Sequence, residues 1–352
     1  MSATSNPLEP VLEVTDLRVT FPTDDGDVQA VSGMTFAVHE NETLGIVGES
    51  GSGKSVTSMA VLGLLPRSAK VTGSVKLRGR ELIGLTDDEM QPIRGEEISM
   101  VFQDALTALN PVFKVGDQIA EAIKVHHDVK GAELERRVVG LLETVGIPNA
   151  DRRAGQYPHE FSGGMRQRAM IAMSIANEPA VLIADEPTTA LDVTIQAQVL
   201  EVFERIQERT RSSVILITHD LGVVAGTADR VVVMYAGREV ETANVDDLFY
   251  NPRHPYTRGL LASLPRVDGS RLSRLNRIKG QPPSMIVLPS GCAFHPRCDD
   301  AEVPGRCNEE RPELRTIELR HRSACHFAER LPALSTTDLA ADAGGEKTVD
   351  QL

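Results

Sequence analysis

No stretch of this sequence approaches the roughly 18 uninterrupted apolar residues that a membrane-spanning helix requires, so none is expected. The opening segment, MSATSNPLEP, has neither the basic start nor the apolar run of a secretory signal, and it reads as disordered. Positive charge is in deficit. Lys and Arg number 37 against 50 Asp and Glu, for a formal net charge of −13. That balance argues against nucleic acid or anionic lipid as the main partner. Cysteine is missing from everything before Cys292, and the four that follow form no C-x-x-C pair. Their clustering in a chain that looks cytosolic favours a metal site over disulfides.

What is present is enough chain, 352 residues, and enough apolar content, 41%, for one large or two ordinary domains. The chain is organised around residues 44–56, LGIVGESGSGKSV. Gly48 to Ser55 fit G-x-x-x-x-G-K-[ST] without a mismatch, between an apolar run and a helical pattern. Gly48, Gly51 and Gly53 free the backbone to curl, so that the N–H groups of Glu49, Ser50, Ser52 and their neighbours can line a phosphate cradle. The helix that follows adds its positive end. Lys54 can reach β- and γ-phosphates, and the Ser55 hydroxyl can ligate Mg²⁺.

The alternating residues 11–21 predict a strand, 28–38 a second strand region, and 71–83 a further strand and turn. Phe21 is a candidate to stack on a base, or an ordinary strand-end phenylalanine. Residues 97–103 predict a buried strand ending in Gln103, which could touch Mg²⁺ or an attacking water, or be a loop glutamine. From about 105 to 176 the pattern is helical, with Ile119, Ala120, Ala122 and Ile123 on one face and Leu134, Val138, Leu141, Leu142 and Val145 on another. Within it, FSGGMRQR offers the Ser162 hydroxyl and bare N–H groups at Gly163 and Gly164, a second phosphate-binding element or a plain serine cap. Residues 181–187, VLIADEP, predict a strand from whose end Asp185 can hold Mg²⁺ and Glu186 can act as general base. A strand over 213–219 ends at His219, placed for a γ-phosphate, and 229–235 with the Gly237 turn closes the sheet.

Taken together, GESGSGKS, VFQ, FSGGMRQR, VLIADEP and ITHD in this order resemble the ATP-binding subunit of an ABC transporter, over about residues 11–260. The resemblance implies an α/β P-loop NTPase (RecA-like) core with an antiparallel β subdomain and an inserted helical subdomain at about 105–176. It implies that Phe21 stacks adenine, Gln103 is the Q-loop residue, Asp192 lies in the D-loop and His219 is the switch histidine. Ser162, Gly163, Gly164 and Met165 would be the signature acting on a partner's ATP. Its usual form is LSGGQ, and here Phe161 and Met165 replace the leucine and glutamine. Residues 251–266, NPRHPYTRGLLASLPR, and the cysteine segment resemble the oligopeptide/dipeptide importer branch, which nickel importers share in large part.

That branch implies a C-terminal extension over 261–330, with 331–352 a disordered tail. For Cys292, Cys298, Cys307 and Cys325 the residues leave an iron–sulfur cluster, Zn²⁺, or free thiols and disulfides open. The resemblance favours a [4Fe–4S] cluster. It further implies a second, non-identical ABC ATPase, two membrane-spanning permease subunits, an extracytoplasmic peptide-binding protein, and a peripheral place on the cytoplasmic face of the membrane. The rival classes are a soluble, non-transport ABC ATPase and a non-enzymatic iron–sulfur sensor.

Overall fold

The computed structural model describes residues 9–103, 108–189, 191–264 and 278–334. Residues 1–8, 105–107 and 335–352, which the sequence reading assigns to a disordered start, the first part of the helical subdomain and a tail, lie outside the described residues.

Strands β1 (Leu12–Thr23) and β2 (Gly26–Val38) form a hairpin. The chain passes through β3 (Thr43–Val47) and α1 (Lys54–Val61), then returns as β4 (Lys70–Leu77) and β5 (Arg80–Glu81). These make an antiparallel sheet in the order β2–β1–β4–β5. Helix α2 (Asp87–Met90) leads into β6 (Ile98–Val101). Helices α3 (Val115–Lys124), α4 (Gly131–Thr144), α5 (Ala150–Ala154) and α6 (Gly163–Ser174) then build the helical subdomain. The faces predicted there are the packed ones: Ile119, Ile123, Val138, Leu142 and Val145 are buried, with Ala120, Leu134 and Leu141 against them.

Next come β7 (Val181–Asp185), α7 (Val193–Thr210), β8 (Ser213–Thr218), α8 (Leu221–Thr227) and β9 (Arg230–Tyr235). Strands β9, β3, β8, β7 and β6 run parallel in that order. Alternate side chains explain their apolar composition. Val181, Ile183, Ile215 and Ile217 enter the core shared with the antiparallel sheet. Leu182, Ala184, Val214 and Leu216 enter the core shared with the helical subdomain. A sheet covered on both faces needs such continuous runs.

The sheet does not stop at β9, where the sequence pattern ends it. The chain turns at Ala236 and Gly237, both left-handed, and runs back as β10 (Arg238–Asn244). Helices α9 (Val245–Tyr250), α10 (Pro255–Ala262) and α11 (Arg306–Glu309) follow, then β11 (Arg315–Glu318) and β12 (His321–Ser323), which complete an eight-stranded sheet, β11–β12–β10–β9–β3–β8–β7–β6. Strand β10 reads REVETAN, whose charges disguise a buried strand. The start of the expected tail is also ordered: Leu331 is buried, and Leu334 N–H donates to the Tyr250 carbonyl at 2.8 Å.

Candidate functional site

The parallel order β3–β8–β7–β6 sets four carboxyl ends side by side. Gly48 follows β3, His219 follows β8, Asp185 ends β7, and Gln103 lies just past β6. Open α/β sheets take ligands at this edge, because strand ends there project side chains beyond the sheet while helix starts turn N–H groups toward it. Residues far apart in sequence therefore meet without any long-range coincidence.

The loop after β3 leaves no room for side chains at two glycines. A Cβ on Gly48 would lie 2.2 Å from the Met234 carbonyl oxygen. One on Gly53, whose φ is 102°, would lie 2.3 Å from that of Ala30. Gly51 is also left-handed but faces open space. Lys54 is buried, and its ammonium donates to the carbonyls of Gly48 at 2.8 Å and Glu49 at 3.1 Å. Burial lowers its pKa, against the opposing pull of Glu186, Asp185 and Glu49. Asp185 is pushed up, first by burial and then by Glu186, while the Ser55 hydroxyl bonded to it pulls down. Its Oδ1 is buried without a hydrogen-bond partner. An orphaned carboxylate oxygen beside a hydroxyl suits an oxygen-seeking cation, so Ser55 and Asp185 fit Mg²⁺.

Glu186 is the hub of the second group. Its Oε2 accepts from Gln103 Nε2 at 3.1 Å and from the Thr189 hydroxyl at 2.8 Å. Its Oε1 lies 3.3 Å from His219 Nδ1. Its backbone is left-handed, with φ 48°, a strained conformation for a non-glycine residue of the kind found at functional sites. The structure thus joins Gln103, Glu186 and His219, which stand at three separate strand ends. Thr189 escaped the sequence reading; its only signal is its place three residues after Glu186.

The second glycine pair sits elsewhere. Ser162 caps α6, its hydroxyl accepting from Met165 N–H at 3.3 Å. Ser162 and Gly163 are exposed, and a Cβ on Gly163 would meet nothing within 4 Å. Gly164 is packed against Ile195 of α7. Helix α6 packs on α3, α4, α7 and β6, whereas α1 packs on β1, β2 and β7. Asp192 caps α7, accepting from Thr194 and Ile195 N–H at 3.1 and 3.0 Å. Phe21 is half-buried on the antiparallel sheet, against its core.

Comparison with known proteins agrees with this arrangement. The ABC transporter family model matches residues 31–189, and the model for the C-terminal region of oligopeptide/dipeptide transporters matches 240–307. The dipeptide transport ATP-binding protein of Bacillus subtilis is 54% identical over 298 residues, covering 84% of this chain and 89% of that protein. This chain belongs to the oligopeptide/dipeptide ABC transporter family. The oligopeptide transport ATP-binding protein of Mycobacterium tuberculosis is 53% identical over 333 residues, 94% of this chain but 54% of that protein, so the chain spans about half the length of that relative. Among solved structures, a dimeric ATP-binding cassette in a post-hydrolysis state with ADP and Pi superposes with a TM-score of 0.60 at 25% identity, over 66% of this chain and 98% of that one.

The family's C-terminal region packs onto the core. Tyr256, Leu261 and Phe294 share a cluster with Val231, Val233 and Tyr235, and Cys292 and Cys298 lie against it. All four cysteines are free thiols. Burial raises three of them: Cys298 and Cys325 are each pushed up to about 12, helped by neighbouring thiols, and Cys292 rises too. Among the described residues no three or more His, Cys, Asp or Glu side chains converge as ligands for a metal ion. As placed, the four cysteines therefore do not form a single-ion site, and the expected metal centre is not supported.

Proposed function

We propose that this protein is the ATP-hydrolysing subunit of an ABC importer for di- and oligopeptides, peripheral on the cytoplasmic face of the membrane. The observation that carries the reading is the convergence of Lys54, Asp185, Glu186, Gln103 and His219 on one sheet edge. The loop over Gly48–Ser55 holds the phosphates and Phe21 stacks the base. Ser55 and Asp185 hold Mg²⁺, which supplies charge neutralisation on the phosphates. Glu186, steadied by Gln103 and Thr189, polarises water for attack on the γ-phosphate, and His219 balances charge that develops there.

Exposed Ser162 and Gly163 serve ATP held by a second cassette, which we take to be a related, non-identical ATPase. The Gln103 loop reports to two permease subunits, fed by an extracytoplasmic peptide-binding protein. Phe102, next to Gln103, and Val112 and Phe113, about ten residues further along the chain, are exposed and support a docking role. The [4Fe–4S] reading of Cys292, Cys298, Cys307 and Cys325 rests on their being free thiols, one buried and three half-buried, in one C-terminal segment. Broad visible absorption from anaerobically purified protein supports it, and colourless protein with stoichiometric zinc overturns it.

The test of the main reading is uptake. The complete complex in proteoliposomes should import a labelled dipeptide only with MgATP on the side bearing this subunit. A complex that hydrolyses ATP and imports nickel but no peptide would refute the peptide reading.

A further inference from the structure

One residue of the nucleotide loop faces away from the others. Glu49 turns its carboxylate toward the C-terminal extension, where Arg297 grips it with both ends of its guanidinium, at 2.6 and 2.9 Å. The Glu49 N–H donates to the Tyr256 hydroxyl at 2.8 Å. The Glu49 carbonyl accepts from Lys54. All three polar groups of Glu49 are therefore engaged, two by the family's C-terminal region and one by Lys54, so its N–H, expected in the phosphate cradle, is turned to Tyr256 instead.

The grip is rigid. The Arg297 side chain is only 5% exposed. Its Nε donates to the Lys279 carbonyl at 2.9 Å, it reaches the Tyr235 hydroxyl at 3.3 Å, and it lies over the rings of Tyr235 and Phe294. Tyr256 is fully buried, its ring 4.6 Å from that of Tyr235. A fork-to-fork pair fixes orientation as well as distance, which a lysine cannot do. Arg297 lies in the short turn between Cys292 and Cys298, and Tyr256 in the HPY of NPRHPYT.

We propose that Arg297 and Tyr256 are positioning residues for ATP binding, holding the nucleotide loop in its phosphate-ready form through Glu49. The C-terminal region is thus part of the nucleotide site's support. This rests on the reading of Gly48–Ser55 as the ATP loop.

The test uses the full chain, titrated with a fluorescent ATP analogue and Mg²⁺, and the assembled complex for kcat and KM. Arg297→Gln and Glu49→Gln should each raise KM for ATP about tenfold with kcat nearly unchanged, because the lost support acts on binding. The double variant should be no worse than the weaker single one, since both break one pair. Arg297→Lys should recover part of the loss. Tyr256→Phe, which conserves shape, should raise KM several-fold, so a poorly folded Arg297→Gln would not rescue the idea. Wild-type KM in a folded Arg297→Gln or in Tyr256→Phe overturns the proposal, as do single effects that multiply in the double variant. Lys54→Ala separates the two readings. If it binds the analogue as tightly as the unaltered chain, the loop assignment itself falls. If it loses binding while Arg297→Gln does not, only the positioning role falls.

Discussion

The eight-stranded sheet carries two acidic pairs that look alike on paper and behave oppositely. Asp185 and Glu186 close β7, a parallel strand, and stand at its open carboxyl end. Glu239 and Glu241 sit inside β10, an antiparallel strand covered by the extension. The first pair leaves one buried oxygen unpartnered beside Ser55 and holds a second carboxylate among Gln103, Thr189 and His219. The second pair is spent on packing. Glu241 accepts from the Arg253 N–H and pairs with His321 at 2.8 Å, while Glu239 finds only Arg322, at 4.0 Å. Carboxylates at a strand's end wait for a ligand, whereas the covered pair has only the protein to answer it and is answered in part: one oxygen of Glu241 is bonded, and both oxygens of Glu239 are buried without a hydrogen bond.

The sharpest way to break this contrast is Glu186→Gln. Removing a general base should cut turnover of the complex by about 10²–10⁴-fold while ATP binding stays within a few-fold. Turnover near normal would remove Glu186 from the chemistry and erase the distinction between the pairs. Asp185→Asn should act differently. It relieves a buried charge, so the nucleotide-free chain should gain in Tm, yet the Mg²⁺-dependent part of ATP affinity should fall at least tenfold, about 1.4 kcal/mol. Calorimetry with and without Mg²⁺ reads both effects. A variant that loses Tm and keeps its magnesium dependence would place the metal elsewhere.

The first pair was legible and the second was not. VLIADEP announces itself because four apolar or small residues lead into two acids, and a phosphate loop already demands such a partner. Gln103 and His219 were placed by the same logic of strand ends. Glu239 and Glu241 fall in a strand whose alternation is masked by charge, and their partners, Arg322 and His321, lie some 80 residues on. Local patterning carries no trace of a pairing at that distance. The link from Arg297 to Glu49 spans 248 residues and was equally hidden. So the parallel core and its site could be read from short-range pattern, whereas the seam between core and extension could not.

That seam predicts a loss of stability without loss of chemistry. His321 and Glu241 are both about fully buried, joining β12 to β10. His321→Ala leaves Glu241 facing only the Arg253 N–H and should destabilise the chain by about 3 kcal/mol. Denaturant unfolding would measure it, and the catalytic rate per folded molecule should be unchanged. A drop in rate at full folding would show that the second pair takes part in turnover after all.

A last effect belongs to Glu239, and it separates the pairs by pH. Burial pushes its pKa up to about 7, against the weaker pull of Arg322 and Arg230. The cavity beside it is lined by Arg238, Arg311, Arg322 and His254, none of which hydrogen-bonds its carboxylate. Because the folded-state value lies above the ordinary carboxylate range, the folded chain holds a proton that the unfolded chain releases. The group's contribution is therefore complete below about pH 4.5 and is lost as pH rises through 7, with a total of about 2 kcal/mol after allowing for the nearby arginines. Glu239→Gln fixes the neutral form. It should match the parent chain at pH 5 and exceed it at pH 8, with the gap opening between those values. A gap that is the same at both pH values would mean that Glu239 is charged throughout. The covered strand would then tolerate an acid as readily as the open one, and the contrast between the two pairs would fail at its weaker member.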